Sequence, residues 1–143
     1  MITGISISTI AHATEDLSKV KSAILNMVPE SARGACQINA AEAKGHHGNP
    51  ITVLTLEVRE KRQAKEIVGY IVRLLPVWDR LRIRDQMDLY YDGRSSLFLR
   101  VDKQTALLRS PRLSLSDDVI RIKISLIGRK GDVASVLKIF DLS

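Results

Sequence analysis

Several things are scarce in this sequence. Only 4% of its residues are aromatic. The interior must therefore be built from Ile, Leu and Val, and there is no aromatic pair of the kind on which RNA-reading sheets stack bases. A single cysteine, Cys36, rules out an intramolecular disulfide and fits a reducing compartment. In its strand-like setting Cys36 reads as a small apolar residue. No apolar run approaches the roughly 20 residues of a membrane span. The opening Met1-Ile2-Thr3-Gly4-Ile5 lacks the basic and apolar regions of a signal peptide. A cytoplasmic protein without membrane contact is expected. GxSxG, HExxH and GxxxxGK[ST] patterns are all missing, so no catalytic residue and no cofactor is assigned.

What is present suits one packed domain. The chain has 143 residues, of which 45% are hydrophobic, and residues 1–143 read as a single domain. The formal net charge is +6. Residues 59–112 hold thirteen Lys/Arg against seven Asp/Glu, whereas residues 1–58 hold four against five. The excess sits in the middle of the chain and is mostly arginine, the side chain suited to forked phosphate contacts. Interleaved acids make a salt-laced helix surface the competing explanation.

Periodicity divides the chain into strands and helices. Residues 2–12 alternate as a strand, with Ile5 and Ile7 against Ser6 and Ser8 and a phase shift that predicts a bulge near Thr9. Thr14 is placed to cap a helix carrying Leu17, Val20, Ile24, Met27 and Val28 on one stripe. Pro29 stops it, and Glu30 to Ala35 read as a loop. Cys36–Ala43 and Ile51–Val58 read as strands joined in an antiparallel hairpin. Lys61–Leu75 is the best helix, and Val77–Tyr91 reads as one shorter helix. Ser96–Asp102 is a strand with Leu97, Leu99 and Val101 inward and Phe98 and Arg100 outward. Lys103–Leu108 fits a helical turn and Ser110–Ser116 a loop. Val119–Ile127 alternates most clearly, with Arg121 and Lys123 on the non-core side. Asp132 starts a last helix. The expected class is α+β, a largely antiparallel sheet with helices packed on one face.

The turn between the hairpin strands is the leading functional candidate. Lys44-Gly45-His46-His47-Gly48-Asn49-Pro50-Ile51 holds far more chemistry than reversing a chain requires. Lys44, Asn49 and the N–H groups around Gly45 and Gly48 are candidate donors to phosphate or ribose. His46 and His47 add imidazoles. As adjacent strand-like residues they should point to opposite sides, and a metal site formed with His12 is not expected. Arg100, Lys103 and Gln104 form a second polar cluster. Asp117-Asp118 reads as a solvated turn. With aromatics so scarce, contact with the backbone and shape of RNA is favoured over base stacking.

The opening Ile5-Ser6-Ile7-Ser8-Thr9-Ile10-Ala11-His12-Ala13-Thr14-Glu15-Asp16, the Gly45-His46-His47-Gly48-Asn49-Pro50-Ile51 run and Arg100-Val101-Asp102-Lys103-Gln104 together resemble an archaeal RNA-binding family. That family is described as a predicted exosome-associated subunit. The resemblance implies a fold like the ribosomal protein that binds 5S ribosomal RNA. It also implies non-catalytic RNA binding, as an accessory of RNA processing or of the ribosome. The expected partner is structured or double-stranded RNA, joined by exosome or ribosomal components. Two other readings stay open: an imidazole- or metal-assisted ribonuclease using His46 or His47, and a protein-interaction module, with homodimer formation as a further alternative.

Overall fold

The computed structural model describes residues 1–141. β1 (Ile2–His12) enters first and lies at the centre of the sheet. Its residues Ile5, Ile7, Thr9 and Ala11 are buried, and Ser6, Ser8 and Ile10 alternate onto the other face. The expected bulge near Thr9 is not formed. Thr9 keeps the inward phase because its hydroxyl donates to the Val119 carbonyl at 2.9 Å, which offsets the penalty of burying it. The irregularity falls instead between Ile2 and Gly4.

α1 (Leu17–Leu25) is capped by Asp16, whose carboxylate accepts from the Ser18 N–H at 3.0 Å. Thr14 is not the cap, because a turn closed by the Glu15 N–H on the His12 carbonyl precedes the helix. α2 (Glu30–Arg33) replaces the expected loop. Glu30 and Arg33 sit at the ends that suit their charges, and the Arg33 Nε donates to the Val28 carbonyl at 3.0 Å. β2 (Ile38–Lys44) and β3 (Pro50–Val58) form the hairpin.

α3 (Lys61–Leu74) follows, capped by the Glu60 carboxylate and burying Ala64, Ile67, Val68, Ile71 and Val72. The single helix expected after Pro76 is broken at Gln86 into α4 (Val77–Asp85) and α5 (Met87–Tyr90). Only Asp79 and Ile83 of α4 are buried, so no apolar stripe carries it through. The buried Asp79 carboxylate accepts from the Arg112 Nε at 2.9 Å and the Leu113 N–H at 3.0 Å, fastening α4 to the loop beyond β4 (Ser96–Asp102). α6 (Lys103–Leu107), β5 (Val119–Leu126) and α7 (Val133–Ile139) complete the chain.

The strand order is β2-β3-β1-β5-β4, and every neighbouring pair is antiparallel. Helices cover the side holding Ile5, Ile7, Leu54, Leu56, Leu97, Leu99, Ile120, Ile122 and Ile124, all buried. Among the described residues, nothing covers the opposite side. The two margins of the sheet differ. β4 is flanked by chain on its outer side: the Asp92 N–H reaches the Ser96 carbonyl, the Asp102 N–H the Arg112 carbonyl, and the Ser114 N–H the Arg100 carbonyl. β2 is exposed along nearly its whole length, and its outer margin carries no such flanking strand among the described residues.

Candidate nucleic-acid interface

The hairpin turn is exposed at one end of the sheet. Lys44 pairs with Pro50, and the Gly45 N–H donates to the Asn49 carbonyl at 2.6 Å. The Gly48 N–H donates to the Gly45 carbonyl at 2.9 Å. These two N–H groups close the turn and are not free for phosphate, which corrects the donor role expected of them. The glycines are needed for shape. Gly48 has a φ of +79°, and a Cβ on Gly45 would lie 2.8 Å from the Asn49 carboxamide. Lys44, His46, His47 and Asn49 remain exposed. The imidazoles do not diverge as strand neighbours would. Their centroids are 4.9 Å apart, edge to face, because they lie in a turn.

Arg100, Lys103 and Gln104 reach the same end of the sheet, since β1, β2 and β4 all finish there. From β3 to β4 there are three strand spacings, roughly 15 Å. The three residues do not act alike. Gln104 is exposed on α6. Arg100 lies on the uncovered sheet face, with its Nη2 donating to the Ser116 carbonyl at 2.8 Å. Lys103 turns inward. Its Nζ donates to the Ile10 carbonyl at 2.6 Å, to Asp118 at 2.6 Å and to Glu15 at 3.1 Å. Its side chain is only 12% exposed. The phosphate contact expected of Lys103 is therefore corrected: with its donors occupied and its charge balanced by two carboxylates, it ties together β1, the turn after it and the start of β5.

His12, Glu15 and Asp118 converge closely enough to resemble a metal site. The Lys103 ammonium already supplies the positive charge there. His12 approaches Asp118 at 3.8 Å rather than joining His46 and His47. Asp118, expected in a solvated turn, is thus part of this knot. Cys36 is partly buried against the core, and desolvation raises its thiol above the ordinary value of 9.0, which disfavours a nucleophilic thiolate.

The uncovered face is the feature that the sequence showed only in fragments. Register places Arg100 opposite Arg121, and Arg121 opposite Ser8. One step along, Phe98 lies opposite Lys123, and Lys123 opposite Ser6. Small serines on the central strand leave a trough of about 340 Å³ bounded by Phe98, Arg100, Arg121 and Lys123. Among the described residues, neither Arg121 nor Lys123 has a carboxylate within ion-pair range. The outward alternation of Phe98, Arg100, Arg121 and Lys123 is visible in the sequence, but their adjacency depends on which strands pair.

A family model described as RNA binding matches residues 4–126. The chain belongs to this RNA-binding family. It is 31% identical over 123 residues to a protein of Pyrococcus abyssi named an RNA-binding protein, covering 85% of this chain and 80% of that one. An uncharacterized protein of Methanocaldococcus jannaschii is 35% identical over 123 residues, covering 85% and 82%. Solved structures agree with the fold. A protein from Archaeglobus fulgidus superposes with a TM-score of 0.82 at 28% identity, covering 96% of this chain and 99% of that one. A DUF54 protein from Methanothermobacter thermautotrophicus gives 0.75 at 30% identity, covering 98% of each chain. The α+β class expected from the sequence is the fold that this RNA-binding family shares with its solved neighbours.

Proposed function

We propose that the protein binds structured RNA without cleaving it, through the uncovered basic face of the sheet and the exposed hairpin turn. One observation carries the reading: Arg100, Arg121 and Lys123 stand side by side on a sheet face that no helix of the described residues covers. Like charges directly opposite on neighbouring strands are unfavourable by themselves. A polyanion laid across the face reverses that sign. Lys44, His46, His47 and Asn49 extend the surface at the end of the sheet, with Gln104 at the far side of that end. Membership in the RNA-binding family supports the same reading.

The test is a salt titration of binding to an RNA hairpin. Affinity should fall steeply with salt, because every neutralised phosphate releases counterion. Arg121→Ala and Lys123→Ala should each reduce the log–log salt slope by about one. Slopes equal to the parent's in both variants refute this surface as the phosphate contact. Labelled RNA should stay intact with and without chelator, and cleavage dependent on His46 or His47 would establish the ribonuclease alternative. The proposal extends to an accessory role in RNA processing, at the exosome or ribosome. Co-purification from cells with and without nuclease tests that role: partners released by nuclease are held through RNA.

A further inference from the structure

We infer that the trough on the uncovered face is a site for one unpaired nucleotide, with the base stacked on Phe98 and its phosphate held between Arg100 and Arg121. The inference rests on the RNA-binding reading and adds the class of RNA: a duplex interrupted by a bulge or loop rather than a continuous helix.

Phe98 is 45% exposed on β4, the last strand of the sheet, among the polar side chains of its uncovered face. An isolated exposed apolar side chain is ordinary by itself. This one forms the wall of a concavity, and its surroundings are specific. Lys123 lies with its Nζ 6.0 Å from the ring centroid, close to the outer limit of cation–π attraction. The serines at positions 6 and 8 keep the floor low and offer hydroxyls for the edge of a flat ligand. A ring, a low polar floor and a flanking cation are what a purine or pyrimidine needs from a binding surface: one π-face to stack on and donors at its rim.

The phosphate half of the site rests on separate observations. Arg100 and Arg121 are direct cross-strand partners, so two guanidinium groups share one position of the sheet. The Arg100 Nη2 donates to the Ser116 carbonyl and meets Asp117 at only 3.4 Å from a fully exposed position, the Nε is buried, and the Nη1 makes no hydrogen bond among the described residues. A guanidinium carries five N–H donors, and this one has donors left over. A phosphate oxygen placed between the pair relieves their repulsion and uses those donors. Phe98 and Arg100 are two residues apart on one strand, a rise of about 6.7 Å. Stacking surface and anion site are thus adjacent parts of one nucleotide-sized patch. A continuous A-form duplex cannot use the ring, because its bases are stacked inside and its readable groove is shallow.

The experiment compares two RNA hairpins, identical except that one carries a single bulged fluorescent purine analogue. The full chain should bind the bulged hairpin about tenfold more tightly, given the usual strength of base–aromatic stacking, and should quench the analogue. Phe98→Ala and Phe98→Leu should remove the quenching and the preference, so that both hairpins bind with equal affinity. Phe98→Trp should keep the quenching and the preference. The leucine variant retains apolar bulk but has no π-face, so its loss of preference, beside an unchanged urea midpoint, reports stacking. Equal affinity of the unaltered protein for both hairpins, or a preference that survives Phe98→Ala, overturns the nucleotide site and leaves general RNA binding standing. Binding to neither hairpin at low salt overturns both and assigns the face to a different partner.

Discussion

Replacing Lys103 with methionine separates a structural ammonium from one that meets RNA. Methionine keeps most of the stem and removes the charge. Three acceptors then lose a donor: the Ile10 carbonyl, Asp118 and Glu15, which keeps only the His12 N–H. Breaking a buried ion pair typically costs about 3–5 kcal/mol. Here the carboxylates are only partly withdrawn from water, Glu15 at 27% and Asp118 at 63% exposure, so solvent screening reduces the loss. The expected destabilisation is roughly 2–3 kcal/mol. At this chain length it lowers the melting temperature by roughly 8 °C. Urea denaturation at neutral pH should show a lower midpoint with an unchanged slope. Well below the melting point, RNA affinity and its salt slope should match the parent's. A variant of unaltered stability whose salt slope falls by about one would refute the assignment and return Lys103 to the phosphate-binding set. A double-mutant cycle with Asp118→Asn isolates the pair: a coupling near zero would show that the 2.6 Å contact carries no energy.

Two further outcomes follow from local geometry. Gly48→Ala meets no steric neighbour, but it places a Cβ at a φ of +79°. A loss of about 1 kcal/mol in urea unfolding is expected, and none would mean that the turn relaxes to another conformation. Asp92 accepts hydrogen bonds from the N–H groups of Arg94, Ser95 and Ser96, and these hold its carboxyl below the ordinary 3.8. Because the folded value is the lower one, this contribution is full above the unfolded value and is lost as pH falls through the folded one. Asp92→Asn should therefore flatten the acid limb of stability measured by urea midpoints down to about pH 2. An unchanged limb would place the acid sensitivity elsewhere.

The parts of the fold that could be read from sequence are those where one residue's fate depends on its near neighbours. In β5, Ile120, Ile122, Ile124 and Leu126 alternate with polar residues and are buried in that order. In α3 the apolar positions follow the helical period, and Ala64, Ile67, Val68, Ile71 and Val72 are buried on one stripe. α4 has no such stripe, so the break at Gln86 left no signal. The Lys103 knot was hidden for a different reason. Ile10 and Glu15 are 93 and 88 residues away, and only the packing of α6 against α1, at the end of the sheet where β1 finishes, brings them within reach. The hairpin turn was found because its residues are contiguous, but which of its N–H groups were free depended on how the turn closed. The face holding Phe98, Arg100, Arg121 and Lys123 was legible residue by residue. Its two guanidinium groups became neighbours only when register placed them so.

The unequal margins of the sheet also limit how the molecule can assemble. A sheet open on both sides can in principle polymerise, one strand after another. Chain from the segments around Asp92 and Arg112–Ser114 already fills the side beyond β4. Any lateral addition, by a second copy or by an extended peptide, must take place along β2. Two copies joined in that way would each have used the one vacant margin among the described residues, and the array would terminate as a pair.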